Sequence, residues 1–389
     1  TSALANETGN DNTAFGFEAL NANTSAEYNS AFGSEAGMNL TTGPKNIAVG
    51  YQALRSATNA QNNTCVGYEA GLAITSGGSN VLIGSSAGRT IASEGDNVAV
   101  GNQTLYDCTG AGNVAIGYKA GNRISTAENL TFIGKEAGQN TTTGTMNVGV
   151  GHRALQSNTT GYWNTAVGSQ ALKSNTTGVR NVAFGASALH VNTTGNWNIA
   201  VGSGILDKNT TGSYNVGLGH EAFYNNTTGQ YNVGVGNNAL LNNTTASYNT
   251  AVGHEALTAN TTGTENTAVG YVALKKNTTG NYNTASGRRA AYNNTTGSTN
   301  TAYGQESLYS NTTGSNNTCL GYGADASSAT VSNEITLGNT SINSFRCNTQ
   351  TISSLSDGRD KTEVEDLPLG LDFIDTLRPV KFKWDTRDG

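Results

Sequence analysis

Along most of this chain a short alternation of apolar and small residues is followed by a second apolar pair and then by a polar turn. The unit repeats. One glycine recurs at Gly16, Gly33, Gly50, Gly67, Gly84 and Gly101, then at Gly117, Gly134, Gly151, Gly168, Gly185, Gly202 and Gly219, and on through Gly236, Gly253, Gly270, Gly287, Gly304 and Gly321 to Gly338. Every step between these twenty glycines is 17 residues, except the 16 between Gly101 and Gly117. Written from its first Asn the unit is N-x-A-V-G-x-x-A-L-x-x-N-T-T-G-x-x, as in residues 164–180. A fixed period of this length signals a stack of like units rather than a globular domain.

Before the glycine the second and fourth positions are bulky, as in Val98 and Val100 or Ile199 and Val201, and the third is usually Ala. That alternation predicts a short strand with one bulky and one tight face. We expect Val167, on the bulky face, to be a core residue, and the tight Ala/Gly face to invite close packing of neighbouring chains. Ala171-Leu172 and Ala256-Leu257 show the second apolar pair. Asn-Thr-Thr-Gly then supplies a turn, since Asn bonds its own backbone and Gly takes positive φ without steric cost. The short repeat loses its residue in this turn and keeps its strand, as a fixed register requires.

Seventeen residues cannot bury a core alone, but stacked copies can. If each repeat is one coil, equivalent side chains lie about 4.8 Å apart, and twenty coils reach roughly 95 Å. Asn164, Asn181, Asn198 and Asn215 then form one amide ladder, and Asn175, Asn192, Asn209 and Asn226 another. Gly, β-branched pairs and Asn-Thr-Thr-Gly all oppose helix, and only Ala-Leu favours it. The expected fold is all-β, a parallel β-roll or β-solenoid of about twenty 17-residue repeats, with a small α+β segment at the C-terminus. Residues 1–140 are an irregular shaft with variable turns, and 141–322 a regular one. Residues 323–355 hold the last repeat and a transition, and 356–389 a different, charged and amphipathic segment. Within that segment 366–384 read as an Asp-initiated helix and then a strand.

Composition narrows the function. Charged residues make up only 12% of the 389, and the net charge of −6 offers nucleic acid no basic surface. No stretch approaches the roughly 18 apolar residues of a membrane span. The chain opens Thr1-Ser2-Ala3, with no basic start or apolar run, so no signal peptide is expected. Cys65, Cys108, Cys319 and Cys347 are far apart and read as small buried hydrophobes. His152, His190, His220 and His254 are equally scattered; no metal or cofactor is expected. Acidic residues in 141–322 are sparse and never paired on a repeated face, which disfavours a carbohydrate-cleaving solenoid enzyme.

Two repeated features carry candidate recognition chemistry. Asn-Thr-Thr at Asn158, Asn175, Asn192 and Asn209 fits the glycosylation acceptor pattern, though a turn-and-ladder role explains its period as well. Five residues before the glycine an aromatic recurs, at Tyr28, Trp163, Trp197, Tyr214, Tyr231, Tyr248 and Tyr282. Such a row would stack sugars or close an interface between chains, and we favour the interface.

The N-x-A-V-G-x-x-A core, over most of residues 12–338, resembles the head repeats of trimeric autotransporter adhesins, which are parallel β-rolls packed as trimers. Runs of N-T-A-V-G-Y-x-A-L-x-x-N-T-T-G are also similar to those of phage-type tail fibres. Ser356-Asp357-Gly358-Arg359-Asp360-Lys361, with Leu371-Asp372-Phe373-Ile374-Asp375-Thr376-Leu377-Arg378-Pro379-Val380, resembles the start of the intramolecular chaperone of endosialidase-type tailspikes and tail fibres. That family's chaperone drives trimerisation and then releases itself. The resemblance implies cleavage of Leu355–Ser356, with Ser356 as nucleophile and Lys361 as its base. Most of that chaperone lies beyond what Gly389 allows. The resulting expectation is a homotrimeric fibre, on a virion tail or at a cell surface, that attaches to a host glycan or protein receptor. The alternative is a cell-surface adhesin or extracellular filament built from the same repeat. No enzyme acting on an external substrate is expected.

Overall fold

A computed structural model describes residues 9–344 and 346. The chain divides into two units, Thr1–Ser341 and Ile342–Gly389, and the following concerns the first. Among the described residues there are twenty strands of three residues each and no helix. They run from β1 (Thr13–Phe15) to β20 (Ile335–Leu337), one per repeat. Each pairs in parallel with the strand one repeat away, so the fold is a parallel β-solenoid. In β10 (Thr165–Val167) and β11 (Val182–Phe184), Thr165 faces Val182, Ala166 faces Ala183 and Val167 faces Phe184. The short repeat keeps this register: Val98 faces Val114 and Ala99 faces Ala115. The missing residue is absorbed in the turn, as expected.

The remainder of each coil is also hydrogen-bonded to its neighbours. The amides of Leu172, Ser174 and Thr176 donate to the carbonyls of Ala188, His190 and Thr193 at 2.9–3.0 Å. Backbone polar groups are thereby paired along the stack, as burial demands. The repeated glycine is required twice over. Gly168 has φ +138°, a region that side chains rarely enter, and a Cβ there would press into the Gly185 carbonyl of the next coil.

The core is the inverse of what the alternation implies. Ala166, Ala183 and Ala200, at the middle of their strands, are fully buried and face inward. Val167 is only half-buried, and Phe184 and Leu218 at the equivalent position are 55% and 48% exposed. Val167 is therefore not a core residue, and the Ala face is filled from within its own coil rather than by a neighbouring chain. The reason is space: Ala171 and Leu172 enter from the other side of the coil and are fully buried against that face. In these coils the space is taken by that Leu, so the strand presents its smallest residue inward.

Where a larger residue intrudes, glycine answers it. Phe132 stands at the Ala position of β8 (Thr131–Ile133), and its ring lies 3.0 Å from where Gly149 in the next strand would carry a Cβ. Phe223 replaces the usual Leu, and the strands packed on it carry Gly217 and Gly234.

Both Asn ladders form. Asn181 donates Nδ2 to Asn164 Oδ1 at 3.2 Å and to the Gly195 carbonyl at 2.8 Å. Asn192 donates Nδ2 to Asn175 Oδ1 at 2.9 Å and to the same Gly195 carbonyl at 3.0 Å. One turn carbonyl thus ties the two ladders together. A third ladder, unread in the sequence, runs through the first Thr of the turn: Thr176, Thr193 and Thr210 each donate Oγ1 to the carbonyl one coil on, at 3.0 Å.

Candidate binding surface

The outer surface carries two kinds of recognition feature. Flanking the inward Ala, the strand ends project outward as two columns. One includes Val182, Ile199 and Val216, the other Phe184, Val201 and Leu218. Ile199, Val216, Phe184 and Leu218 are 43%, 37%, 55% and 48% exposed, and lie on adjacent coils. In the Leu218 column only Ser286 interrupts a run of apolar or aromatic side chains from Phe15 to Leu337.

The second feature is the aromatic row. Its residues occupy the left-handed region, with φ of 56° at Trp163, 60° at Tyr214 and 62° at Tyr248. That conformation costs a non-glycine residue about 1–2 kcal/mol. Stacking offsets much of it. Tyr214 lies 4.8 Å from Tyr231 with rings 3° from parallel, and Tyr231 lies 5.2 Å from Tyr248 at 2°. Trp197 and Tyr214 continue the stack at 6.3 Å and 10°. Each such pair contributes about 0.5–1.5 kcal/mol beyond its area.

Arg180 takes one coil of the row, its guanidinium 4.3 Å from the ring centroids of both Trp163 and Trp197. Beyond Trp163 the indole Nε1 donates to the Met146 sulfur at 2.7 Å. Seven successive coils, from Met146 to Tyr248, therefore form one continuous column. Inside it ring faces cover one another and edges meet solvent; Tyr28 and Tyr282 stand apart from it.

The Asn-Thr-Thr amides are not available for glycosylation in the folded chain. Asn158, Asn175, Asn192 and Asn209 are fully buried, and their Nδ2 groups are engaged with glycine carbonyls and, from Asn175 on, the preceding ladder amide. Cys65 and Cys108 are buried thiols pushed up by desolvation to about 12 and about 11, and Cys319 is also raised by burial. These three are the small hydrophobes the sequence implies; Cys347 lies outside the described residues.

The histidines remain separate. His190 Nδ1 sits 3.4 Å from Asp207, whose carboxyl is raised by burial against the opposing pull of His190, and His254 stacks on Tyr271 at 5.4 Å. Among the described residues no three His, Cys, Asp or Glu side chains converge as metal ligands. A cavity of about 440 Å³ lies at the last coil, lined by Asp325, Thr336, Leu337 and Asn339 among others. Ser356, Lys361 and the Leu355–Ser356 bond lie outside the described residues. No family model, curated protein or solved structure matches the chain.

Proposed function

We propose that this chain is the shaft of a homotrimeric fibre, of the tail-fibre kind, that carries an attachment surface to a host or other target. The observation that supports this reading is the outward apolar column. A solenoid whose core is complete within one chain has no internal use for Phe184, Val201 and Leu218 in unbroken succession. Exposed apolar area of that extent on a soluble protein marks a surface that another molecule covers. The natural cover for a column that repeats every coil is a column with the same repeat, in register, which a parallel copy of the same chain provides. Three copies are what the resemblance to trimeric adhesin heads and to the tailspike chaperone implies. The segment 356–389 then serves trimerisation.

The repeat suits a shaft for a mechanical reason. Each coil is bonded to the next by backbone, Asn and Thr ladders at once, so a load along the axis is shared among parallel hydrogen bonds. With the apolar column taken as the seam between chains, in place of the aromatic row favoured for it from sequence, the exposed aromatic row is left for attachment. The test is the mass of the particle in solution by sedimentation equilibrium. Three times the chain mass of 40.0 kDa is expected, and a stable monomer at micromolar concentration overturns the reading.

A further inference from the structure

Between Tyr248 and Tyr282 the aromatic row skips one coil, and the gap has the dimensions of a site. Between Tyr248 and Tyr282 stands Glu265, at the same place in the repeat. Tyr214 and Tyr231, with an aromatic ring on either side, are 45% and 46% exposed. Tyr248 and Tyr282 are 58% and 55% exposed. Tyr248 has a ring on one side only, Tyr231 at 5.2 Å, so its added exposure is the face turned toward the gap. Two coils separate the Tyr248 and Tyr282 backbones, about 9.6 Å at the usual strand spacing. That spacing has room for one flat group between the two side chains.

The same row shows what such a gap takes. One-coil intervals also separate Trp163 from Arg180 and Arg180 from Trp197, and there a guanidinium lies 4.3 Å from each ring. Arg180 and Glu265 share a backbone φ of 56°, so their side chains leave the coil in the same direction. Where the first interval is filled by the chain's own cation, the second holds a carboxylate. Glu265 is exposed and has no ion pair or side-chain hydrogen bond with any described residue. The two lysines of the following repeat are committed elsewhere: Lys275 pairs with Glu255 at 2.7 Å, and Lys276 donates to Asn293 at 2.9 Å. Glu is also shorter than Arg, so its carboxylate reaches less far from the backbone than the Arg180 guanidinium does.

We propose that the slot between Tyr248 and Tyr282, floored by Glu265, binds a guanidinium group supplied by an arginine side chain of a polypeptide partner. The plane of the guanidinium lies between the two rings, whose faces attract a cation. Its edge turns toward Glu265, whose two oxygens accept a pair of parallel N–H bonds. An ammonium cannot reproduce this, because it is not flat and has no paired donors at that spacing.

The test uses the full chain with 3-fluorotyrosine placed at position 248, and in a second preparation at 282. Each is titrated with N-acetyl-arginine methylamide and followed by 19F chemical shift. A saturable shift at both positions with a millimolar midpoint is expected. The lysine analogue should bind at least threefold more weakly, and Glu265→Gln should weaken the arginine probe at least threefold. Glu265→Arg fills the slot from within, as Arg180 does, and should abolish the response while moving the unliganded 19F signals. Absence of a saturable shift overturns the proposal, as does equal binding of the lysine analogue. A methyl pyranoside that binds as well as the arginine probe, and is indifferent to Glu265→Gln, replaces it with carbohydrate stacking. Far-UV circular dichroism of the Glu265 variants establishes that the coil is intact.

Discussion

The Cδ1 of Ile74 lies 3.0 Å from the point at which a Cβ on Gly71 would stand. The same relation holds for Gly88 with Ile91 at 2.9 Å and for Gly121 with Ile124 at 2.8 Å. In most other coils the first position is Leu and the second is small or Asn, as with Leu54 and Ala57, or Leu172 and Asn175, all fully buried. In these coils the same space is filled from either of two backbone positions three residues apart. The three Gly–Ile pairs all lie within residues 1–140, and in each the Ile stands where the regular shaft has the Asn of its second ladder.

The exchange is testable at Leu54 and Ala57. Leu54→Gly leaves a cavity and should cost about 2–5 kcal/mol. Ala57→Ile overfills the coil while Leu54 is present and should cost about 1–3 kcal/mol. The double variant recreates the Gly71–Ile74 arrangement and should be more stable than the sum of the singles, by about 0.5–3 kcal/mol in a double-mutant cycle. Additive costs in urea denaturation would mean that the two positions do not share one space.

The period, the strand, its register, the loss of one residue in a turn and both Asn ladders were legible because each follows from one repeated residue with one backbone or hydrogen-bonding demand. The inward face of the strand was not. Val-Ala-Val tells that Val98 and Val100 share a face opposite Ala99, and bulk argues that Val faces the core. The deciding fact is the cross-section of the coil, which depends on where Leu105 arrives from across the turn, and strand alternation carries no information about that. The Arg180 sandwich is hidden for a related reason: in the sequence the row shows aromatic residues with gaps, although a cation in phase with the rings is itself a stacking partner.

Asn192 should be the most sensitive polar position of the regular shaft. Asn192→Asp keeps the shape and loses both Nδ2 donors, leaving a carboxylate against Asn175 Oδ1 and the Gly195 carbonyl. An unpaired buried group of this kind costs about 1–3 kcal/mol, and more when charged. Amide hydrogen exchange should quicken in the coils around residue 192 and remain slow near Ala48 and Ala302, as expected for a stack with nearest-neighbour coupling. Uniform acceleration along the whole shaft would contradict that coupling. The same burial predicts that the folded chain, offered to an N-glycosylating extract, stays unmodified at Asn175, Asn192 and Asn209.

The thiols offer a chemical check on the core. Only a thiolate reacts with disulfide reagents, and a thiol raised to about 12 is roughly one part in ten thousand ionised at pH 8. Cys65 is also fully buried, so mass spectrometry after labelling should find it unmodified in the folded chain and fully modified in guanidinium. Rapid labelling of Cys65 under native conditions would mean that its coil opens locally.

At the other end of the chain the expectation is covalent. By the resemblance, Ser356 Oγ would attack the Leu355 carbonyl while Lys361 takes its proton and passes it to the departing Ser356 nitrogen, and water would then hydrolyse the Leu355 ester; this requires a lysine pKa lowered by burial or by a neighbouring cation such as Arg359. A gene product extending through a complete chaperone should release a fragment beginning at Ser356. Ser356→Ala and Lys361→Ala should each stay whole. Release from Ser356→Ala, or a fragment with a different first residue on N-terminal sequencing, would leave 356–389 as a trimerisation segment without chemistry.

Adjacent residues on β10 separate the folding of one chain from the association of several. Ala166 faces the interior and is fully buried, whereas Val167 is half-buried on the outer column. Ala166→Asp buries an unpaired carboxylate in a space that holds a methyl group, a change that costs several kcal/mol and should abolish local order by hydrogen exchange. Val167→Asp directs its carboxylate to water in the isolated chain. Its coil should therefore keep native exchange protection and an unchanged far-UV spectrum. In a trimer whose chains meet along the apolar column, however, three carboxylates converge in a desolvated seam. The pair Val167→Asp and Val201→Asp should then shift the sedimentation mass from three chains toward one. If Val167→Asp unfolds the coil as Ala166→Asp does, the strand faces inward the other way. If the double variant stays trimeric, the chains meet along a different face, and the apolar column is covered by something else.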